Sequence, residues 1–200
     1  MRTDLVIGEL QARSELALRM TAMADLVASI ADRFVETLRR GGTLFFAGNG
    51  GSAADAQHIA TEYVVRYREN RRPFAAAALT TDSSLLTAAG NDFGFDELFA
   101  RQVEALGRAG DLLILHSTSG ESRNLLRAAE AARSRGMGTV ALLGRGGGTL
   151  RALVDLALVV PFDVTSHIQE THLAVEHLIV ELVEQALSAG VNGEGEGGQP

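Results

Sequence analysis

No lysine occurs anywhere in the 200 residues, so all eighteen basic side chains are arginine. That absence excludes Schiff-base chemistry on a lysine, pyridoxal phosphate anchored on one, and the lysine-dependent grip on nucleoside triphosphates. A bound phosphate must be held by backbone amides, hydroxyls or arginine. Cysteine is absent too, which removes thiol nucleophiles, disulfides and thiolate metal sites. With no charged-then-apolar leader and no apolar run of membrane length, the expected location is the reducing cytoplasm, with no membrane partner. The formal charge is −7 and the arginines are spread along the chain, which argues against a nucleic-acid surface. The one local cluster, Arg66, Arg68, Arg71 and Arg72, reads as a solvated helix end whose cations complement the helix dipole. No repeat and no linker divides the chain. It is expected to form one soluble domain over 1–189, with enough apolar residues (46%) for a core. The tail 190–200, GVNGEGEGGQP, has nothing to bury and is expected to be disordered.

What is present is an alternation of apolar strands and helical stretches. Residues 1–40 read as helix, ended by Gly41–Gly42. Strands follow near 43–47, 75–79, 111–116, 139–143 and 156–160, with helices near 52–68, 83–90, 96–106, 122–135 and 148–153. The last element, Ser166 to about Ala189, is a long helix with Ile168, Leu173, Val175, Leu178, Ile179, Leu182, Val183 and Leu187 as its apolar positions. Such alternation predicts an α/β fold, a parallel sheet covered on both faces. Ligands of such sheets sit beyond the carboxyl ends of the strands, at the switch point.

Two loops lie in that position. The first is in FFAGNGGSAADAQHIATEY, Phe45 to Tyr63. Gly48, Gly50 and Gly51 let the backbone turn and approach a ligand, and Ser52 can cap the next helix and offer a hydroxyl. Anions suit the N–H-rich start of a helix. The loop lacks the Gly-Lys-Ser/Thr ending of a Walker phosphate loop. The second, in LLILHSTSGESRNLL, sets Ser117, Thr118, Ser119 and Ser122 around Gly120 at another strand end. Four hydroxyls within six residues exceed what one helix cap needs, and they read as a phosphate cradle.

His58 and Glu62, four apart on a helix, share one face. That spacing suits two ligands of one divalent ion, or a carboxylate base beside an imidazole. The last helix carries Gln169, His172 and His177. Gln169 and His177 are eight residues apart, roughly 12 Å of helix rise, at the limit of what one ion could bridge. If both serve one type of site they come from two copies of the chain, which argues for a homo-oligomer with sites at subunit interfaces.

Together these residues amount to a resemblance. GNGGSAADAQHIATE (48–62), GNDFGFDELFARQVEALGRAGD (90–111), STSGESRNLL (117–126) and HIQETHLAVEHLIVELVE (167–184) make the chain similar to the phosphoheptose isomerases of the sugar isomerase (SIS) domain superfamily, from the N-terminal helix to about Leu187. The resemblance implies a flavodoxin-like, five-stranded parallel-sheet αβα sandwich with N-terminal helices and a long C-terminal helix, assembled as a homotetramer. It implies conversion of sedoheptulose 7-phosphate to D-glycero-D-manno-heptose 7-phosphate through an enediol. Asn49, Gly50, Gly51, Ser52, Glu62, Asn91, Asp92, Ser117, Thr118, Ser119, Ser122 and Gln169 would contact the phosphosugar, with the hydroxyl loop on the phosphate. Glu62 and His177 would be the acid/base pair. His58, Glu62, Gln169 and His177 would be the ligands of a divalent ion, zinc where the family binds one, with no nucleotide or pyridoxal phosphate. Two departures stand out: Glu121, where the family commonly has Asn, puts negative charge beside the phosphate loop, and His167, where it commonly has Arg, removes a cation near the site. The rival readings are a non-catalytic relative that binds another protein, such as a replication initiator-associating factor, and an isomerase of another phosphosugar. Retention of Glu62 and His177 favours the heptose enzyme over the first, and GNDFGF with IQE over the second.

Overall fold

The computed structural model describes residues 1–188. The expected tail at 190–200 and the last residue of the expected long helix therefore lie outside the described residues. The chain runs α1 (Arg2–Met20), α2 (Ala24–Arg39), β1 (Leu44–Gly48), α3 (Gly51–Val64), β2 (Ala76–Ala78), α4 (Ser83–Asp92), α5 (Ala100–Leu106), β3 (Leu112–Ser117), α6 (Arg123–Ser134), β4 (Gly138–Leu143), β5 (Leu156–Val159) and α7 (Thr165–Ser188). The five strands form one parallel sheet in the order β2-β1-β3-β4-β5. The order reverses at β1 and β3, where Gly48 pairs with His116. The two loops singled out above thus leave the sheet side by side at its switch point.

Alternate strand residues build two cores. Leu44, Phe46, Leu112 and Ile114 face α2, α3 and α7, while Phe45, Ala47, Leu113 and Leu115 face α4, α5 and α6. All of these are buried, and full burial of a large apolar side chain contributes about 1.5–3 kcal/mol each. Phe34, Phe46 and Tyr63 form an aromatic cluster beneath α3, with Tyr63 5.9 Å from Phe34 and 5.8 Å from Phe46.

Three expectations need correction. Residues 1–40 are not one helix: a 3-10 turn at Thr21–Met23 breaks it, where the Thr21 hydroxyl donates to Leu18 O at 2.7 Å and competes with the backbone ladder. The stretches at 96–106 and 148–153 are only partly helical, with 3-10 turns at Phe95–Glu97 and Thr149–Ala152. Apolar periodicity also did not separate inside from outside. Leu10 and Leu18 on α1, and Leu178 and Leu182 on α7, are exposed, whereas His167, His172, Glu176 and Glu184 of α7 are buried.

Candidate functional site

The first loop is shaped by glycine at two positions. Gly50, at φ 58°, is the helix-capping residue of α3. A Cβ on Gly51 would lie 2.6 Å from Gln169 Nε2, so only glycine admits that close approach. Ser52 is therefore not the cap. It lies inside the first turn, buried, with its hydroxyl 3.4 Å from Gln169 Nε2 as acceptor. Asn49 exchanges two amide hydrogen bonds, 2.9 and 2.8 Å, with buried Asn124 of α6. That reciprocal pair locks the glycine loop to the hydroxyl loop.

In the hydroxyl loop, Ser117 Oγ accepts from Gly120 N (3.0 Å) and Ser119 Oγ from Glu121 N (3.2 Å). The turn is thereby held with its hydroxyl-bearing residues clustered between β3 and Ser122, which caps α6 through its carbonyl. Glu121 does not turn its charge on this cradle: its carboxylate accepts from Thr149 N (2.8 Å) and Thr149 Oγ1 (2.9 Å), pinning the loop after β4. His167 is buried, with Nε2 2.9 Å from Glu9 of α1 and its ring stacked on Phe162. Both departures from the family pattern are thus tied into neighbouring elements.

A cleft of about 360 Å³ opens beside the first loop, walled by Asn49, Gly50, Thr80, Thr87, Gly90 and Phe95. Of the expected contact residues, Asn49 and Gly50 line it. Asn91 and Asp92 do not: they are exposed at the end of α4 and bonded to each other, Nδ2 to Oδ1 at 2.7 Å, and the wall on that helix stops at Gly90.

Helices α3 and α7 lie side by side in the same direction, since Ser52 meets Gln169 and His58 meets His177. His58, Glu62 and His177 converge, with one ligating atom from each within 4.8 Å of the others. His58 Nε2 is 3.3 Å from Glu62 Oε1, and the His58 ring stands edge-on to His177 at 5.1 Å. Burial lowers the His177 pKa from its ordinary value, charge on His58 adds to this, and Glu62 opposes it. Its imidazole is therefore neutral at neutral pH, able to accept a proton, donate one or ligate a metal. Gln169 of the same chain sits instead at the first turn of α3, about 9 Å of helix rise before His58.

Several site residues escaped the sequence reading. Asn124 is one. Another is the fully buried pair His116 and Glu176, 2.6 Å apart, joining the end of β3 to α7 beneath the site. A third is Tyr67, stacked on His177 at 5.6 Å with 14° between the planes. Arg71 corrects an expectation: it is no solvated helix end, but a buried partner of Glu184 at 2.8 Å. Arg68, by contrast, is largely exposed and pairs with Glu181. Unusual polar residues on an otherwise apolar α7 were the available signal for Glu176 and Glu184; nothing local distinguished Arg71 from its neighbours.

Comparison with known proteins places these features. The SIS domain family matches residues 11–144. A phosphoheptose isomerase from Roseiflexus sp. (strain RS-1) is 52% identical over 186 residues, 92% of this chain and 94% of that protein. One from Pelobacter propionicus is 54% identical over 167 residues, 84% and 88% of the two chains. Among solved structures, a phosphoheptose isomerase from Neisseria gonorrhoeae is 39% identical with a TM-score of 0.88, over 92% of this chain and 100% of that one. Another from Francisella tularensis is 34% identical with a TM-score of 0.90, over 92% and 99%.

Proposed function

We infer that this chain, which belongs to the SIS domain family and within it to the phosphoheptose isomerases, is a ketose-aldose isomerase converting sedoheptulose 7-phosphate to D-glycero-D-manno-heptose 7-phosphate. The observation that carries the chemistry is the convergence of His58, Glu62 and His177 along α3, the helix that the glycine loop opens. Isomerisation through a cis-enediol needs a base for the C1 proton and a group serving the two oxygens. In our assignment the Glu62 carboxylate takes the proton from C1 and returns it to C2. The neutral His177 imidazole delivers a proton to O2 and receives one from O1, so the charge balances over the cycle. The serine and threonine hydroxyls of 117–122, with backbone N–H groups, take the phosphate. Asn49, Gly50, Gly51 and Ser52 place the sugar chain, and Asn91 and Asp92 reach it once the wall at Gly90 closes on substrate.

Two imidazoles and a carboxylate within 4.8 Å suit a divalent ion such as zinc. His58, Glu62 and His177 would hold it, with the amide oxygen of Gln169 as a fourth donor. Such an ion, when bound, acts as a Lewis acid on carbonyl and hydroxyl oxygens. Because Gln169 of the same chain lies at the first turn of α3, about 9 Å of helix rise before His58, we assign the fourth donor to another copy, in a homotetramer. The exposed apolar residues Leu5, Val6, Ile7 and Leu10 of α1, and Leu178 and Leu182 of α7, supply the interface that reading requires. The cytoplasmic location remains part of the proposal. Among the described residues no helix is long and apolar enough to cross a membrane, which agrees with it. Incubation of the purified protein with sedoheptulose 7-phosphate, with and without zinc, and NMR of the products is the deciding experiment. A heptose 7-phosphate should accumulate; unchanged ketose under both conditions would overturn the assignment.

A further inference from the structure

The loop that follows α3 is held by a buried carboxylate from α7. Glu184 Oε2 accepts from Arg68 N (2.8 Å) and Glu69 N (2.9 Å), and Oε1 from Tyr67 N (3.3 Å) and Arg71 Nε (2.8 Å). The side chains of Glu184 and Arg71 are only 3% and 6% exposed. Arg71 spends its other donors mainly on the end of α3, Nη2 on Glu62 O (2.7 Å) and Nη1 on Tyr63 O (3.0 Å), with Nη1 also on Arg72 O of the loop (3.1 Å). Its guanidinium lies 4.0 Å over the Phe74 ring. The last carbonyls of a helix have no partner within it, and a cation there also complements the dipole. One ion pair therefore fixes both the last turn of α3, at the residue bearing the Glu62 carboxylate, and the backbone of Tyr67.

Apolar residues could have joined α3 to α7 at least as stably, because burying an ion pair carries a desolvation cost. What apolar packing does not supply is direction. Three N–H bonds to one carboxylate set the position of Tyr67, whose ring then lies flat on His177 while His58 meets the imidazole edge-on. The terminal torsion of histidine is broad, so an unsupported ring would sample orientations in which its nitrogens miss the reacting oxygens. We propose that Tyr67, placed by the Glu184–Arg71 clamp, is a positioning residue that sets the ring plane of His177 for proton transfer. This rests on the proposed role of His177, though the stacking itself can be tested without substrate.

Misplacement by about 1 Å can cost about 10²-fold in rate, so Tyr67→Ala should lower kcat by roughly 10- to 100-fold, with KM within about twofold of wild type. Tyr67→Phe, which keeps the ring and loses only the hydroxyl, should restore kcat. The His177 ring protons, followed by NMR in the metal-free protein, should carry a Tyr67 ring-current shift in wild type and Tyr67→Phe, and lose it in Tyr67→Ala. Glu184→Gln should move them partway toward the shifts of Tyr67→Ala; the Tyr67 pair keeps the test open if that variant does not fold. Unchanged ring shifts in Tyr67→Ala would overturn the proposal, as would an undiminished kcat or a Tyr67→Phe defect equal to that of alanine. If wild type does not turn over sedoheptulose 7-phosphate, the functional assignment fails, and the ring shifts alone decide whether Tyr67 orients His177.

Discussion

Gly51→Ala separates a requirement of the fold from a requirement of the site. The residue opens α3 and its φ lies outside the left-handed region, so alanine is conformationally acceptable there. In a helix alanine is favoured over glycine by roughly 0.5–1 kcal/mol. The added methyl would meet three atoms of one side-chain amide, Gln169 Nε2 at 2.6 Å, Oε1 at 2.8 Å and Cδ at 2.9 Å. Overpacking against an immobile wall costs about 1–3 kcal/mol, but the amide of glutamine ends a flexible side chain and can swing aside. The two contributions offset, and the unfolding free energy by urea titration should change by less than about 1 kcal/mol. Activity should not escape, because Gln169 is displaced from the loop: kcat/KM should fall about 10- to 100-fold, as for a group moved by about an ångström. Gly51→Ala with Gln169→Ala should be no worse than Gln169→Ala alone, since both substitutions act through the same side chain. Wild-type kcat/KM in Gly51→Ala, or a double variant that loses the product of the two single defects, would refute the reasoning.

Other outcomes follow from the same geometry. Glu62→Gln and His177→Gln should each lower turnover by about 10² to 10⁴-fold while the protein stays folded; retention of more than about a tenth of wild-type kcat would remove that residue from its role. Gln169→Ala and His177→Ala, each strongly impaired alone, should recover activity above that of either when dissociated and reassembled together, because some mixed interfaces regain an intact site; no recovery in demonstrably mixed oligomers would place both side chains in one subunit's site. His172 is buried with Nε2 donating to Leu143 O at 3.0 Å, and burial holds its pKa down to about 3. The folded protein thus leaves it neutral while the unfolded chain protonates it below about pH 6.5, so its contribution is present above that pH and lost as pH falls. The stability advantage of wild type over His172→Gln should therefore shrink by about 1.4 kcal/mol per pH unit between roughly pH 6 and 4, measured by urea unfolding; a pH-independent difference would contradict it.

The order of strands and helices was legible in the sequence because it rests on local quantities. Runs such as Leu112–Leu115 and Val140–Leu143 are continuous apolar segments, buried on both faces as β3 and β4. The glycines and hydroxyls after β1 and β3 marked where the backbone turns, and i, i+4 spacing was enough to put His58 and Glu62 on one face. Those signals need only the chain's own periodicity. The inside and outside of α1 and α7 were not legible, because burial is a property of what lies opposite. Leu178 and Leu182 follow the same helical rhythm as Ile179 and Val183, yet the first two face outward.

Sequence alone determined the chemistry that this protein can use: with no lysine and no cysteine, phosphate falls to hydroxyls, amides and arginine, and proton transfer to carboxylate and imidazole. Tertiary structure alone decided which of those groups meet. It brought His177 from 115 residues away onto His58 and Glu62, and turned Glu121 onto Thr149 instead of the hydroxyl loop. It also sorted one arginine run into a buried clamp at Arg71 and a largely exposed pair at Arg68. Hydrogen bonds and desolvation act over a few ångströms in space, and residues of identical chemistry acquire different roles according to which distant segment the sheet places against them.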